Sequence, residues 1–169
     1  MSNYSQTTIQ SIVGALGYKL HGTDAKMYAL SMLFYKYVSD RGDVNASGVD
    51  LSFDRVVRDP IESGGLVDSE QLAQAFAAIE SSHRLFDGIF DSVNVTSKKL
   101  GVTKTERDEL LTGVAGHLVA FDTTDGEVKD RLGKVYEVMT KASFYGREIN
   151  ADTYALSIMN AYISGIPLS

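Results

Sequence analysis

Asp43, Asn45, Ser47 and Gly48, with Asp54 at the twelfth position counted from Asp43, have the residue types and spacing of a calcium loop. The chemistry would be capture of a hard cation by oxygens at alternate positions, with glycine at the tight turn. The pattern is imperfect. Asp50 stands where an apolar residue normally packs, Asp54 is shorter than the usual Glu, and Pro60 cuts the exiting helix short. A polar loop is the plainer reading of the same residues. Lys98, Lys99, Lys104 and Arg107 form the dense basic cluster of the chain, diluted by Glu106, Asp108 and Glu109. Taken alone they describe a solvated loop and the start of a helix. His21, His83 and His117 have no metal-ligand spacing to one another and read as surface or capping residues. Tyr28, Tyr35 and Tyr37 could stack on bases, but Tyr37 belongs to an apolar helical stripe, and core packing is the expectation there. With no cysteine, disulfides and thiolate metal sites are excluded.

These residues must be positioned by a chain of 169 residues, 44% of them apolar and 22% charged, enough for one domain with a core, or one domain and a short appendage. The net charge of −6 argues against a domain that holds nucleic acid by its overall field, so any DNA contact must come from a local patch or from neighbouring subunits. No run of 18 apolar residues occurs, so no membrane partner is expected. Met1 to Gln10 lacks the basic start and apolar middle of a signal peptide, and a cytoplasmic location is the expectation.

The apolar spacing is helical nearly throughout. Ile9, Ile12, Val13 and Leu16 share one face. A second helix starts near Thr23 and runs to about Asp40, with a stripe of Leu30, Leu33, Phe34, Tyr37 and Val38. Asp68 is placed to cap a helix carrying Leu72, Phe76 and Ile79. Thr103 and Glu106 spell a capping box for a helix with Leu111, Val114, Leu118 and Phe121 on one face. Thr124 and Glu127 spell another, for a helix with Val128, Leu132, Val135, Tyr136 and Met139. Asp152 is a candidate cap for a last helix with Ala155, Met159, Tyr162 and Ile163. Residues 41–52 and the stretch around Pro60, Gly64 and Gly65 read as irregular, and Ser143–Ile149 is the one short extended candidate. The expected fold is all-α: a helical bundle-like domain over 1–142 and a short strand–helix piece over 143–169. Leu33, Phe34, Tyr37, Phe76, Leu111, Leu118, Leu132 and Tyr136 are the expected core.

Several segments, in order, resemble the modification subunit of type I restriction–modification systems. They are Asp24–Tyr28 and Leu33–Asp40, Ala78–Glu80 leading into Phe86–Phe90, Thr96–Gly101, and Arg131–Glu137. The order and spacing carry the likeness over roughly Ser5 to Thr140. Phe144–Asn150, Thr153-Tyr154, Met159-Asn160 and Gly165-Ile166 resemble a stretch inside that family's methyltransferase domain.

The resemblance implies an N-terminal helical domain of an adenine-N6 DNA methyltransferase subunit, one that clamps DNA and docks to other subunits. Partners so implied are DNA, a specificity subunit, a second modification subunit and the restriction subunit. It makes Lys98, Lys99, Lys104 and Arg107 candidate phosphate contacts, with weak DNA binding by the chain alone. It makes Glu148 the match for the acidic residue that binds the ribose of S-adenosylmethionine. The sequence departs from the family elsewhere. No glycine-rich strand-to-helix turn precedes Glu148, and Pro60 and Pro167, the two prolines, are too far apart for an Asn-Pro-Pro-aromatic motif. The expectation is therefore no cofactor and no methyl transfer in this chain by itself. A stand-alone helical interaction module and a calcium-binding helical protein are the alternatives. The last helix, away from a parental sheet, needs a new cover for its apolar face. It either folds back or pairs with another copy, and packing on a neighbour is the expectation.

Overall fold

A computed structural model describes residues 14, 20, 22–124 and 151–165. Helix α1, Gly22–Arg41, is the axis around which the rest is laid. The sequence shows a stripe, but the structure buries Ala25 and every residue from Met27 to Tyr37. A helix apolar on nearly all sides belongs inside, not on a surface.

The chain then turns back through a hairpin, β1 (Asn45–Ala46) and β2 (Val49–Asp50), antiparallel with Asn45 opposite Asp50. Its two turn residues, Ser47 and Gly48, both have positive φ, 52° and 80°, as a tight two-residue hairpin turn requires. The expected loop is thus a hairpin. The stretch around Pro60 also departs from expectation, being a π-helix, Asp54–Arg58, that runs into α2, Asp59–Glu62. Pro60 sits in the first turn of α2, where a missing N–H does least harm, and Val56 and Val57 anchor the π-helix in the core.

Helix α3, Ser69–Ser82, begins as expected: the Asp68 carboxylate accepts from the amides of Glu70 and Gln71 at 2.9 and 3.4 Å. It buries Leu72, Ala75, Phe76 and Ile79. His83 ends it and caps a 3₁₀ turn, Arg84–Phe86, its Nδ1 accepting from the Leu85 amide at 3.0 Å. Turns lead to helix α4, Lys104–Val119, which buries Leu111, Val114, Ala115 and Leu118. Phe121 is buried too, but beyond the end of the helix. Helix α5, Ala151–Ile163, contains Asp152 within its length, and its cap lies outside the described residues.

Helix α5 folds back on its own chain, which covers the part of its apolar face expected to need a neighbour. Ala155, Leu156, Met159 and Ile163 are buried, and the Tyr162 ring stands edge-on to Phe34 and Tyr37 at 5.6 and 5.8 Å. Six of the eight expected core residues, Leu33, Phe34, Tyr37, Phe76, Leu111 and Leu118, are buried. Leu132 and Tyr136 lie outside the described residues. So do Ile9, Ile12, Val13 and Leu16 of the first expected helix, the helix with Val128 and Met139, Ser143–Ile149, and His21.

The tyrosines are core residues with satisfied hydroxyls. Tyr28 donates to the Asn94 carbonyl at 2.8 Å, Tyr35 to that of Leu51 at 2.7 Å, and Tyr37 to that of Ile163 at 3.3 Å. Burial pushes all three phenols above their ordinary range. They are closed off from any stacking role.

Candidate nucleic-acid interface

The basic cluster sits where a chain of turns enters α4, and local hydrogen bonding builds that entrance. The Asn94 side chain accepts from the amide and hydroxyl of Thr96 at 3.0 and 2.8 Å, and Ser97 Oγ accepts from the Lys99 amide at 3.1 Å. Leu100 is fully buried and pins the turn. Gly101 then passes so close to the helix that a Cβ there would lie 2.7 Å from the Glu106 Cβ and 2.8 Å from the Arg107 nitrogen. Only glycine fits that approach. Thr103 Oγ1 accepts from the Glu106 amide at 3.2 Å, and Glu106 reaches back to the Val102 amide at 3.1 Å. The capping box therefore closes one residue earlier than the standard form.

The four basic residues divide into two pairs. Lys98 and Lys99 are exposed and, among the described residues, in no ion pair. Lys104 is committed: its Nζ lies 2.7 Å from Asp108 and 3.2 Å from Asp68. Asp108 in turn accepts from the buried Ser69 amide at 2.9 Å. Lys104 thereby links the N-cap of α3 to the first turns of α4. Burial alone would push the Asp108 carboxyl up, but the bonds from Lys104 and Ser69 together hold it below the ordinary carboxylate range. The same bond to Asp108 raises Lys104 above the ordinary lysine range. Arg107 donates to the carbonyls of Gly101 and Val102 at 3.0 and 3.3 Å, and its Nε is buried without a partner among the described residues.

The local field is consequently balanced. Four positive charges at 98, 99, 104 and 107 meet four negative ones at Asp68, Glu106, Asp108 and Glu109. What faces outward and uncompensated is the Lys98–Lys99 turn, with Val102, 72% exposed, beside it. The sequence carried a sign of half of this, since Lys104 and Asp108 stand at helical i, i+4 spacing. Asp68, 36 residues earlier, could not be found that way.

In the calcium-like loop the chain turns as a hairpin, and two of its carboxylates have partners within the protein. Asp50 accepts from the Ser52 amide at 2.9 Å, and Asp54 pairs with Arg58 at 2.8 Å at the head of the π-helix. Among the described residues no three His, Cys, Asp or Glu side chains stand where they could hold a metal ion. His117 is exposed on α4. Glu148 lies outside the described residues. No helix among the described residues is long and apolar enough to cross a membrane.

No family model matches the sequence, and no curated protein does. The fold does have a solved counterpart. It is similar to the crystal structure of the type I restriction–modification system methyltransferase subunit from Streptococcus thermophilus, with a TM-score of 0.73 and 21% sequence identity. The likeness covers 97% of this chain and 57% of that one.

Proposed function

We propose that this chain is a DNA-clamping and subunit-docking domain of a type I restriction–modification adenine-N6 DNA methyltransferase, lacking the catalytic core. One observation carries the reading: a mostly helical fold shared over 97% of the chain with a methyltransferase subunit of such a system. The order of the sequence segments described above points the same way. Docking partners on this reading are a specificity subunit and a second modification subunit, with the restriction subunit in the full complex, in the cytoplasm. The cofactor and the methylation chemistry belong to sequence that carries the glycine-rich loop and the adenine-holding motif, and Glu148 alone does not replace a backbone cradle for S-adenosylmethionine.

In the clamp, phosphate contact falls to Lys98 and Lys99. Lys104 is paired with Asp108 and Asp68 and Arg107 is spent on the carbonyls of Gly101 and Val102, so Lys104 contributes by tying the start of α3 to α4 and Arg107 by holding the residues after the Lys98–Lys99 turn against α4. The test is to assemble the chain with its specificity and modification subunits and to measure affinity for a DNA duplex at two salt concentrations. Lys98→Glu with Lys99→Glu should weaken binding and flatten the salt dependence. An unchanged slope would leave docking as the domain's whole role, and failure to assemble would end the reading.

A further inference from the structure

The Lys98–Lys99 turn is held at both ends by side chains from other parts of the fold. Beyond it, Arg107 of α4 donates to the carbonyls of Gly101 and Val102. Before it stands Tyr28 of α1, 66 positions from Asn94 in sequence. The Tyr28 hydroxyl donates to the Asn94 carbonyl at 2.8 Å and accepts from the Asn94 amide at 3.1 Å. One phenol thus takes both polar groups of a single residue's backbone.

From Asn94 the backbone bonds run forward through the lysines. The Asn94 carbonyl also accepts from the Ser97 amide at 3.1 Å, the Ser97 carbonyl from the Leu100 amide at 3.0 Å, and the Lys98 carbonyl from the Gly101 amide at 3.1 Å. The Asn94 side chain ties Thr96 into the same bend. Lys98 and Lys99 therefore stand on backbone that α1 fixes at one end and α4 at the other. The Tyr28 ring is buried, and its packing does not need the hydroxyl. Asn94 is exposed, so without that hydroxyl its amide and carbonyl turn to water and the bend loosens. Charges carried on ordered backbone lose less freedom on binding than charges on a loose loop.

We infer that Tyr28 is a positioning residue for DNA contact: from α1 it fixes the backbone beneath Lys98 and Lys99 without touching the nucleic acid itself. The inference rests on the DNA contact proposed above and adds to it a dependence on an uncharged, buried residue of another helix.

The test uses the assembled complex and a DNA duplex at two salt concentrations. Tyr28→Phe keeps the ring and removes the hydroxyl. It should weaken binding about threefold to tenfold at both concentrations, the cost of ordering side chains that were ordered before. The slope of log affinity against log salt should stay as it is, because no charge is lost. Deuterium exchange should quicken at the amides of Ser97, Leu100 and Gly101 and not at those of α3. Asn94→Ala loosens the same bend from the surface and should reproduce the loss with an unchanged melting temperature. It decides the matter if Tyr28→Phe does not assemble. Full affinity of either assembled variant would overturn the inference, as would unchanged exchange at the turn. A shallower salt slope would do so too, being the mark of a lost phosphate contact. Lys98→Glu with Lys99→Glu, measured alongside, separates the two readings. If that pair flattens the slope while Tyr28→Phe has no effect, the DNA contact stands and the inference falls. If that pair leaves the slope unchanged, both fall.

Discussion

Lys104 shows how a residue type can point to one chemistry and its neighbours enforce another. A lysine at a helix start, a few residues beyond the exposed loop lysines Lys98 and Lys99, has the composition of a phosphate contact. Two carboxylates within 3.2 Å already pair with its ammonium group. Asp108→Ala would leave the buried Ser69 amide without its acceptor, and such orphaned groups cost ~1–3 kcal/mol. Thermal melts of the two proteins at neutral pH check this. The pH dependence follows from the direction of the shifts. Asp108 is lowered in the folded chain, so its contribution is present above the ordinary carboxylate pKa and lost as pH falls through the folded value. Lys104 is raised, so its contribution is present below the ordinary lysine pKa and lost only in strong alkali. Between pH 5 and 2 the natural chain should therefore lose stability more steeply than Asp108→Asn. Parallel acid limbs would show that the pair is not coupled to folding.

At the scale of elements, the last turn of α1 is the joint of the fold. Arg41 donates to the Thr123 carbonyl at 2.6 Å and stacks on Tyr37, its guanidinium carbon 3.4 Å from the ring centre. The Thr123 hydroxyl donates to Asp40, which also takes the buried Lys36 at 2.9 Å. Tyr37, one turn back, bonds the Ile163 carbonyl at the end of α5. One turn of α1 thus holds the ends of both α4 and α5. Truncation after residue 150 removes Tyr162 from Phe34, Tyr37 and Phe86, uncovering the aromatic cluster. The shortened chain should melt lower, bind a hydrophobic dye, and self-associate in sedimentation. A truncated chain with unchanged melting and mass would make α5 a loose tail. Leu118, fully buried on α4, tests the other side of the core: Leu118→Ala should cost ~2–5 kcal/mol in denaturant unfolding.

For the whole molecule, charge sets the expectation. With a net charge of −6 and two free lysines on the candidate face, the isolated chain should bind duplex DNA weakly at physiological salt. Each phosphate contact adds ~0.9 to the slope of log affinity against log salt, so the pair contributes a slope of about 2. Two such domains facing each other across a duplex double that, and tethering raises their effective concentration. Fluorescence anisotropy with the chain alone and with the assembled complex should therefore differ in slope as well as in affinity. The purified chain should transfer no methyl group to DNA and show no heat of binding with S-adenosylmethionine. A micromolar complex in calorimetry would overturn the view that its cofactor chemistry lies in other sequence.

Local rules carried much of this protein. Asp68 before an apolar period of 3.6, and Thr103 three residues ahead of Glu106, state where α3 and α4 begin, because capping joins atoms only a few residues apart. The apolar stripes named the core for the same reason, since helical periodicity is a property of short segments. Residues 41–52 and the stretch around Pro60 read as irregular in sequence because a two-residue hairpin and a π-helix are weak local preferences, stabilised here by burying Val44, Leu51, Phe53 and Val56. The division of the basic cluster was legible in the sequence only in the i, i+4 spacing of Lys104 and Asp108. Lys104 is withdrawn by Asp68 from another helix, while Lys98 and Lys99 are left free by the turn that Leu100 anchors. The packing of α5 on its own chain was decided in the same way, by an aromatic pocket assembled from α1 and the 3₁₀ turn. Contacts between residues far apart in sequence leave no periodic trace, so composition could place charge and apolar surface on the helices, and only their packing settled which of them remained free.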